Sequence, residues 1–595
     1  MKTLAHPFSS AFRRARAPGL RTLAGALVLA LPTLAAHAQT QATSQAAPAA
    51  KESTMVQLIR GLMSSGALAK DVGEALLAQA QAEALASQQS QPTQRRVAGA
   101  PSTRVDNGDV RVTYVPQTVR DQIRDEVKAE VMAQAKSEGW AAPNETPEWS
   151  KRIHVEGDVR VRNESRLYAG GNSDQVVNFA AINKGDPYDV NPNTAAELPP
   201  LLNTRENRSN QWRVRARLGV VADLSESTHA GVRLASGSDD SPVSTTQTLG
   251  GGLQKKALWL DQAWLSHSPL DGLTLTGGRF GNPFQTTELL FSSDLNMDGV
   301  AASFRRAVGA KKDAEVFASL GFIPLEYLSS DFPSRSQDKA PSQSKWLVGL
   351  QAGGTWKLND SNRVGGSLGY FDFHNISGEV SAACALYAGE DHCSTDWSRP
   401  AFMQKGNTIM SIRDIALNPN DPANTPTPQY FGLASQFRVL DVAARWDTEV
   451  TTGFPLRLDL NYLRNTAYDV KEMFSRARGN ILNNYGGSGA TTQTAFRSGG
   501  NAYQVQATLG TVQPQLKGQW HVLAGYRRIE PDAVPDGYND ATFHGGGTNA
   551  RGFIIGGAYA FDKNAWLSGR WMSSKEVVGP PLSIDTLLID FNARF

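Results

Sequence analysis

Asp585-Thr586-Leu587-Leu588-Ile589-Asp590-Phe591-Asn592-Ala593-Arg594-Phe595 closes the chain. Leu587, Ile589, Phe591, Ala593 and Phe595 are all apolar, and Asp590, Asn592 and Arg594 alternate with them. A period of two sends successive side chains to opposite faces of a strand, so the segment predicts a strand with one greasy face. The same alternation runs through Ile153-His154-Val155-Glu156-Gly157-Asp158-Val159-Arg160-Val161-Arg162, through Trp212 to Leu218 and through Leu456 to Tyr462. Strands of this kind build transmembrane barrels, but one-sided sheets of soluble sandwiches alternate too.

The links between strands separate the two classes. Sixteen segments read as strands: 151–168, 208–223, 227–237, 256–267, 272–284, 297–306, 313–324, 345–358, 362–376, 432–450, 454–466, 501–513, 518–530, 551–561, 565–577 and 583–595. The links after even-numbered strands are short, such as Leu224-Ser225-Glu226, Asn359-Asp360-Ser361 and Asp562-Lys563-Asn564. Those after odd-numbered strands are mostly long and polar, notably 169–207, 377–431 and 467–500. Tight turns at one rim and long loops at the other are the pattern of an outer-membrane barrel. The expected fold is therefore an all-β, antiparallel transmembrane barrel of about 16 strands, wide enough to leave an aqueous channel. Aromatic residues near strand ends (Trp212, Trp346, Trp446, Tyr462, Trp520, Tyr526 and Trp566) suit interfacial girdles.

The N-terminus reads as an address. Arg13, Arg14, Arg16 and Arg21 precede the apolar run Leu23–Leu34 and the small-x-small site Ala36-His37-Ala38. That is the pattern of a secretory signal peptide over residues 1–38. Its removal takes away five basic and no acidic residues, so 59 basic against 57 acidic becomes 54 against 57, a balance of −3. Such a chain has no electrostatic footprint for nucleic acid. After residue 38 no apolar run is long enough for a membrane helix, so a membrane-spanning mature chain must close as a barrel.

Residues 39–150 read as a periplasmic leader. A Gln/Ala/Thr-rich terminus at 39–50 is followed by helical patterning from Met55 to Gln79, then by a Gln/Ser/Pro-rich linker over about 87–110. A second helix is predicted from Pro116 to Ser137, with Val119, Ile123, Val127 and Val131 every four residues on an otherwise charged surface. A narrow apolar seam of this kind suits a coiled coil, or a lone amphipathic helix lying on another surface. The barrel is expected over 151–595.

Tyr114-Val115-Pro116-Gln117, Ile123-Arg124-Asp125-Glu126-Val127, Gly139-Trp140-Ala141-Ala142-Pro143 and Pro147-Glu148-Trp149, followed directly by the Ile153 strand, resemble the bacterial putative-porin family. The likeness runs from about 114 to the end. It implies a diffusion channel with a periplasmic helical leader, and a homotrimer, without naming a solute. The terminal Phe595 similarly resembles the C-terminal signal that the barrel-assembly machinery reads in outer-membrane proteins.

Strand parity then nominates the channel wall. If Trp212, Val214, Ala216 and Leu218 face lipid, Arg213, Arg215 and Arg217 face water, as do Arg160 and Arg162 on the preceding strand and Arg233 on the next. Clustered arginines in a pore attract anions. Inward Asp441, Asp447 and Asp459 would oppose them across the lumen. Alternatively, the arginines are ion-paired with neighbours such as Glu156 and Asp158 and only keep the lumen wet. Loops 377–431 and 169–207 are equal candidates for the segment that narrows the pore.

Cys384 and Cys393, the two cysteines, are expected to form a disulfide in an exported protein; their spacing lacks the companion ligands of a zinc site. Asp294-Leu295-Asn296-Met297-Asp298-Gly299 matches the start of a calcium loop but has Arg305 at position twelve, and reads as a turn. Gly365-Gly366-Ser367-Leu368-Gly369 matches a nucleophile elbow yet sits inside an alternating strand. No metal or cofactor is expected. A passive porin for small hydrophilic solutes, general or mildly anion-preferring, is the leading expectation. An envelope tether anchored by its barrel is the second. An outer-membrane barrel enzyme is the third, and no lipid-facing Ser/His pair is found for it by parity.

Overall fold

The computed structural model describes residues 122, 124–131 and 148–595, apart from 330–331, 334–338, 340–342 and 484–495. The predicted signal peptide and most of the leader lie outside the described residues. Within the second predicted helix, residue 122 and residues 124–131 are helical and exposed, Val127 and Val131 among them.

Sixteen long strands form one closed antiparallel barrel. They are β1 (Ile153–Tyr168), β2 (Arg208–Asp223), β3 (Thr228–Ser236), β4 (Leu258–Leu270), β5 (Leu273–Gly281), β6 (Asn296–Val308), β7 (Ala314–Glu326) and β8 (Lys345–Lys357), followed by β9 (Arg363–His374), β10 (Phe437–Thr451), β11 (Phe454–Asn465), β12 (Asn501–Gly510), β13 (Trp520–Ile529), β14 (Ala550–Asp562), β15 (Ala565–Glu576) and β16 (Ser583–Arg594). Each pairs with its neighbour in sequence, and β16 returns to β1 with Asp158 opposite Arg594 and Tyr168 opposite Ile584. Closure matters because an unpaired edge in lipid would leave a row of unsatisfied N–H and C=O groups.

The seam is finished by the terminal residue. Phe595 and Gly157 exchange two backbone hydrogen bonds of 3.0 Å, and the Phe595 ring lies where a side chain at position 157 would stand. Leu587, Ile589, Phe591 and Phe595 are exposed on the outer face, whereas Thr586 and Leu588 point inward and are buried. The outward parity read from the sequence is therefore the lipid-facing one. Exposed Trp212, Trp356, Trp446, Tyr462, Trp520 and Tyr559 sit toward strand ends on the same surface.

The long loops are structured and knitted to one another. Tyr188–Asp189 pairs with Pro428–Gln429, Ile409–Ser411 with Phe431–Leu433, and Ala383–Cys384 with Asp414–Ile415. Asn407 donates to the carbonyls of Pro531 (2.6 Å) and Val534 (2.9 Å), which staples the loop after β9 onto the loop after β13. A hydrophobic core lies inside the barrel, between these loops and the wall: Phe284, Leu289, Leu290, Phe291, Phe371, Phe373, Met403, Ile409, Phe431 and Leu433 are all buried in it.

Candidate functional site

The channel wall begins with β1 and β2. Arg160 stands opposite Arg215, Arg162 opposite Arg213 and Asp158 opposite Arg217 in their register. Like charges directly opposite each other destabilise a sheet unless something neutralises them. Here most are neutralised. Asp158 accepts from Arg217 (2.5 Å) and Arg215 (2.9 Å), Glu164 from Arg213 (2.7 Å) and Arg166 (2.8 Å), and Asp590 of β16 holds Arg162 by two bonds of 2.7 and 2.8 Å. Arg233 is held by Asp261 at 2.7 Å. Arg160 differs. It donates to the Thr246 hydroxyl (2.6 Å), its Nε has no hydrogen-bond partner, and among the described residues no carboxylate lies within salt-bridge distance of it.

Asp441, Asp447 and Asp459 form no free acidic wall. Asp459 accepts from Arg445 (2.9 Å) and Asp447 from Arg457 (2.5 Å), each on the adjacent strand. Asp441 is fully buried and accepts from Asn461 at 2.5 Å. Their charges are spent locally or shut away from water. The acidic counterpart of the arginines comes from elsewhere.

It comes from residues 282–295, between β5 and β6. This loop crosses the lumen; 377–431 and 169–207 pack against it through Met403, Ile409, Phe431 and Ile182, and Gln404 of the former also lines the cavity beside the arginine wall. Its first half is fixed to the β7–β8 wall. The Gln285 N–H donates to Gln351 Oε1 (2.8 Å), Gln351 returns a bond to the Gln285 carbonyl (3.0 Å), and Ser319 donates to the Pro283 carbonyl (2.9 Å). The Phe284 ring fills a hollow over Gly321 and Gly349, where an added Cβ would come within 2.8 and 2.5 Å of it. Thr287 then donates to Asn461 of β11, and Glu288 reaches Arg527 of β13 (3.3 Å) and Arg570 of β15 (3.7 Å). The second half ends at Asp294, which faces Arg215 (3.1 Å) and accepts from the Thr245 amide (3.2 Å) and hydroxyl (3.1 Å).

Burial alone would raise the Asp294 carboxyl, yet Arg215, Arg160 and Arg217 together hold it below the usual carboxylate range. Asp540, in the loop after β13, is likewise lowered despite its burial, chiefly by Arg527. Both are anions facing guanidiniums. The calcium-loop match at Asp294 thus dissolves into an ion-pair network, and Asp298 turns to Arg279 at 2.9 Å.

Between the loop and the wall lies a cavity of about 410 Å³. Arg160, Arg162, Arg166, Arg213 and Arg570 line it on the barrel side; Glu288, Asp294, Asp540 and Asp590 supply the carboxylates. Of the six arginines read by parity, Arg160, Arg162 and Arg213 line this cavity. Arg215 and Arg217 stand beside it on Asp158 and Asp294, and Arg233 lies apart on Asp261. The sequence reading missed Glu288, Asp540, Arg166 and Arg570. One signal was available for the loop: Leu289-Leu290-Phe291 is too apolar for a link exposed to water.

A model of the family described as Putative porin matches residues 52–595. The chain belongs to that porin family. No curated protein matches its sequence. Among solved structures, this porin is similar to Pseudomonas putida OprB in its high-pH structure, with 10% identity, a TM-score of 0.38 and 75% of this chain and 95% of that one covered. It is also similar to the outer membrane channel DcaP of Acinetobacter baumannii, with 10% identity, a TM-score of 0.33, and 74% and 97% covered. Salmonella typhi OmpF, solved in complex with daunomycin, gives 9%, 0.34, and 74% and 97%. Family and barrel together make this porin an outer-membrane channel.

Gly365–Gly369 lies in mid-strand in β9, with no strand-to-helix turn. Cys384 and Cys393 are joined, with Cα atoms 5.5 Å apart, in the loop after β9.

Proposed function

We propose that this porin passes small hydrophilic solutes passively through an eyelet between the β1–β2 arginine wall and loop 282–295, with a preference for anions. Arg160 carries the proposal: it is a cation in the cavity lining with no carboxylate within salt-bridge distance among the described residues, Asp294 and Asp590 acting on it only from further away. An anion about 5 Å from an uncompensated guanidinium gains ~0.8 kcal/mol in a water-like dielectric, and salt screening near 0.1 M leaves about half of that. The corresponding enrichment is roughly two- to fourfold. Reversal potentials in a salt gradient test it directly. Wild-type protein should favour chloride over potassium, and because the same charge repels the cation, Arg160→Gln should reduce that ratio by about five- to fifteenfold. Cation preference in the wild type, or an unchanged ratio in the variant, refutes the assignment.

The same reading gives the termini their roles. Residues 1–38 would be removed on export, 39–150 would form a periplasmic leader, and the barrel would trimerise in the outer membrane after the assembly machinery recognises Phe595. Nothing in this reading calls for catalysis, metal or cofactor.

A further inference from the structure

A second cavity, of about 680 Å³, opens at the outer mouth on the β7–β8 side, away from the arginine wall. Its size is that of a site for a small organic ligand. Helix Phe179–Lys184, the outer ends of β7 and β8, and the loop after β9 all contribute to it.

Three cations of its lining are committed elsewhere. Lys345 is buried and held by Glu326 (2.6 Å) and the Arg399 carbonyl (2.6 Å). Arg413 is held by Asp396 through two bonds of 2.8 and 2.6 Å, in a pair buried on both sides. Lys184 is paired with Asp240. Arg399 is not so committed. Its guanidinium lies 3.9 Å from the centre of the Tyr430 ring, no carboxylate among the described residues pairs with it, and its Nη1 is buried without a hydrogen-bond partner. A buried guanidinium donor left unmade is costly, and an incoming carboxylate would satisfy it with charge-assisted bonds. Tyr327, Phe332 and Trp397 line the cavity with Tyr430; of its four carboxylates Glu326 is taken up by Lys345, Asp396 by Arg413 and Asp391 by His392, and Asp186 stands beside Lys184 in the chain. Aromatic faces beside one uncommitted guanidinium, in a lining whose other acids are mostly paired, suit a planar ring bearing an acid.

We infer that this vestibule is a binding site for small aromatic monocarboxylates, with Arg399 gripping the carboxylate and the aromatic side chains flanking the ring. The disulfide serves it indirectly. Cys393 donates its N–H to Asp396 (3.2 Å), the same carboxylate that fixes Arg413 beside Tyr430.

Isothermal titration of the full-length protein in detergent tests the site, with benzoate as probe and benzamide and inorganic phosphate as comparisons. Benzoate should bind at least about tenfold more tightly than either comparison, because the charged bond and the ring contact are each worth a factor of that order. Arg399→Gln should weaken benzoate at least about tenfold, and Arg399→Lys, which keeps the charge but not the fork, by less. A heat-modifiable barrel on gels checks that both variants fold. Equal affinity for benzamide removes the carboxylate grip, and equal affinity for phosphate makes the site a plain anion trap; either overturns the inference. So does an Arg399→Gln variant with unchanged affinity, or a loss caused equally by Arg160→Gln, which would place benzoate in the eyelet. The titration does not measure ion preference, so it stands or falls separately from the proposed anion selectivity.

Discussion

Phe284→Ala should loosen the loop that narrows the channel while leaving the barrel closed. Phe284 is only 5% exposed and meets Phe371 edge-on at 5.0 Å, on a floor that glycines at 321 and 349 keep open. Removing a buried phenyl ring costs about 3–5 kcal/mol, and this hollow, walled by strand backbone, has little freedom to collapse. At about 1.4 kcal/mol per decade, the ratio of seated to released loop should fall by two to three orders of magnitude. The bonds from Gln351, Ser319, Asn461 and Arg527 remain, so the seated state should still dominate but open far more often. Hydrogen exchange should show amides 284–291 losing protection by a factor approaching that ratio, with the strand amides unchanged. Single-channel recordings should show larger open-state noise and excursions to higher conductance. Phe284→Leu, which keeps most of the apolar volume, should do much less, and Gly349→Val should mimic the alanine variant by filling the hollow from below. Wild-type exchange and quiet, unchanged conductance in Phe284→Ala would refute the view that this ring seats the loop.

Other perturbations have equally definite signs. Burial lifts the Asp536 carboxyl to about 7, and buried Asp532 is raised as well, with Lys405 the nearby cation. A folded pKa above the unfolded value of about 4 means the packed loop binds the extra proton, so its stability falls as pH rises from about 4 to 7. Burial lowers the pKa of His544 in the same segment, which opposes this slope below about pH 6.5, so the test is the comparison of variants: the protection that 530–549 gains between pH 8 and pH 5 should be smaller in Asp536→Asn than in the wild type. Replacing both cysteines by serine should loosen the 384–396 segment by about 2–3 kcal/mol of loop entropy yet barely change barrel melting, as exchange and circular dichroism can check. Gly157→Val would push against the Phe595 ring at the seam; the heat-modifiable species on gels should decline.

The barrel was legible because a lipid-facing wall imposes period two on every strand, and each of the sixteen was located to within a few residues. β5 ends at Gly281 rather than 284, where its pairing with β6 stops, and β10 starts at Phe437 rather than 432, because Phe431–Leu433 pairs with Ile409–Ser411 of the loop instead of with the barrel. The inward placement of Arg160, Arg162 and Arg213 was legible for the same reason: parity is local. Its acidic partner was not. Asp441, Asp447 and Asp459 have the right parity, but their neighbours Asn461, Arg457 and Arg445 consume them, a matter of cross-strand register. Glu288 and Asp540 belong to loops whose course depends on contacts hundreds of residues away, such as Glu288 with Arg527 and Arg570.

The hollow under Phe284 has a wider consequence. Because the crossing loop rests its apolar foot on one wall and its carboxylates on the other, the two halves of the circumference hold it by different means. Residues of β7 to β10 inside the lumen serve mainly as a bed for the loop, and substitutions there should register as misassembly or leakiness. Residues of β1, β2 and β13 to β16 line the arginine-rich cavity; those that do not touch the loop, such as Arg160, can change charge with little effect on how it is held, whereas Arg215, Arg527 and Arg570 pair with Asp294 and Glu288. Such a division would let single charge swaps on one side retune what is admitted without disturbing the apolar seat on the other.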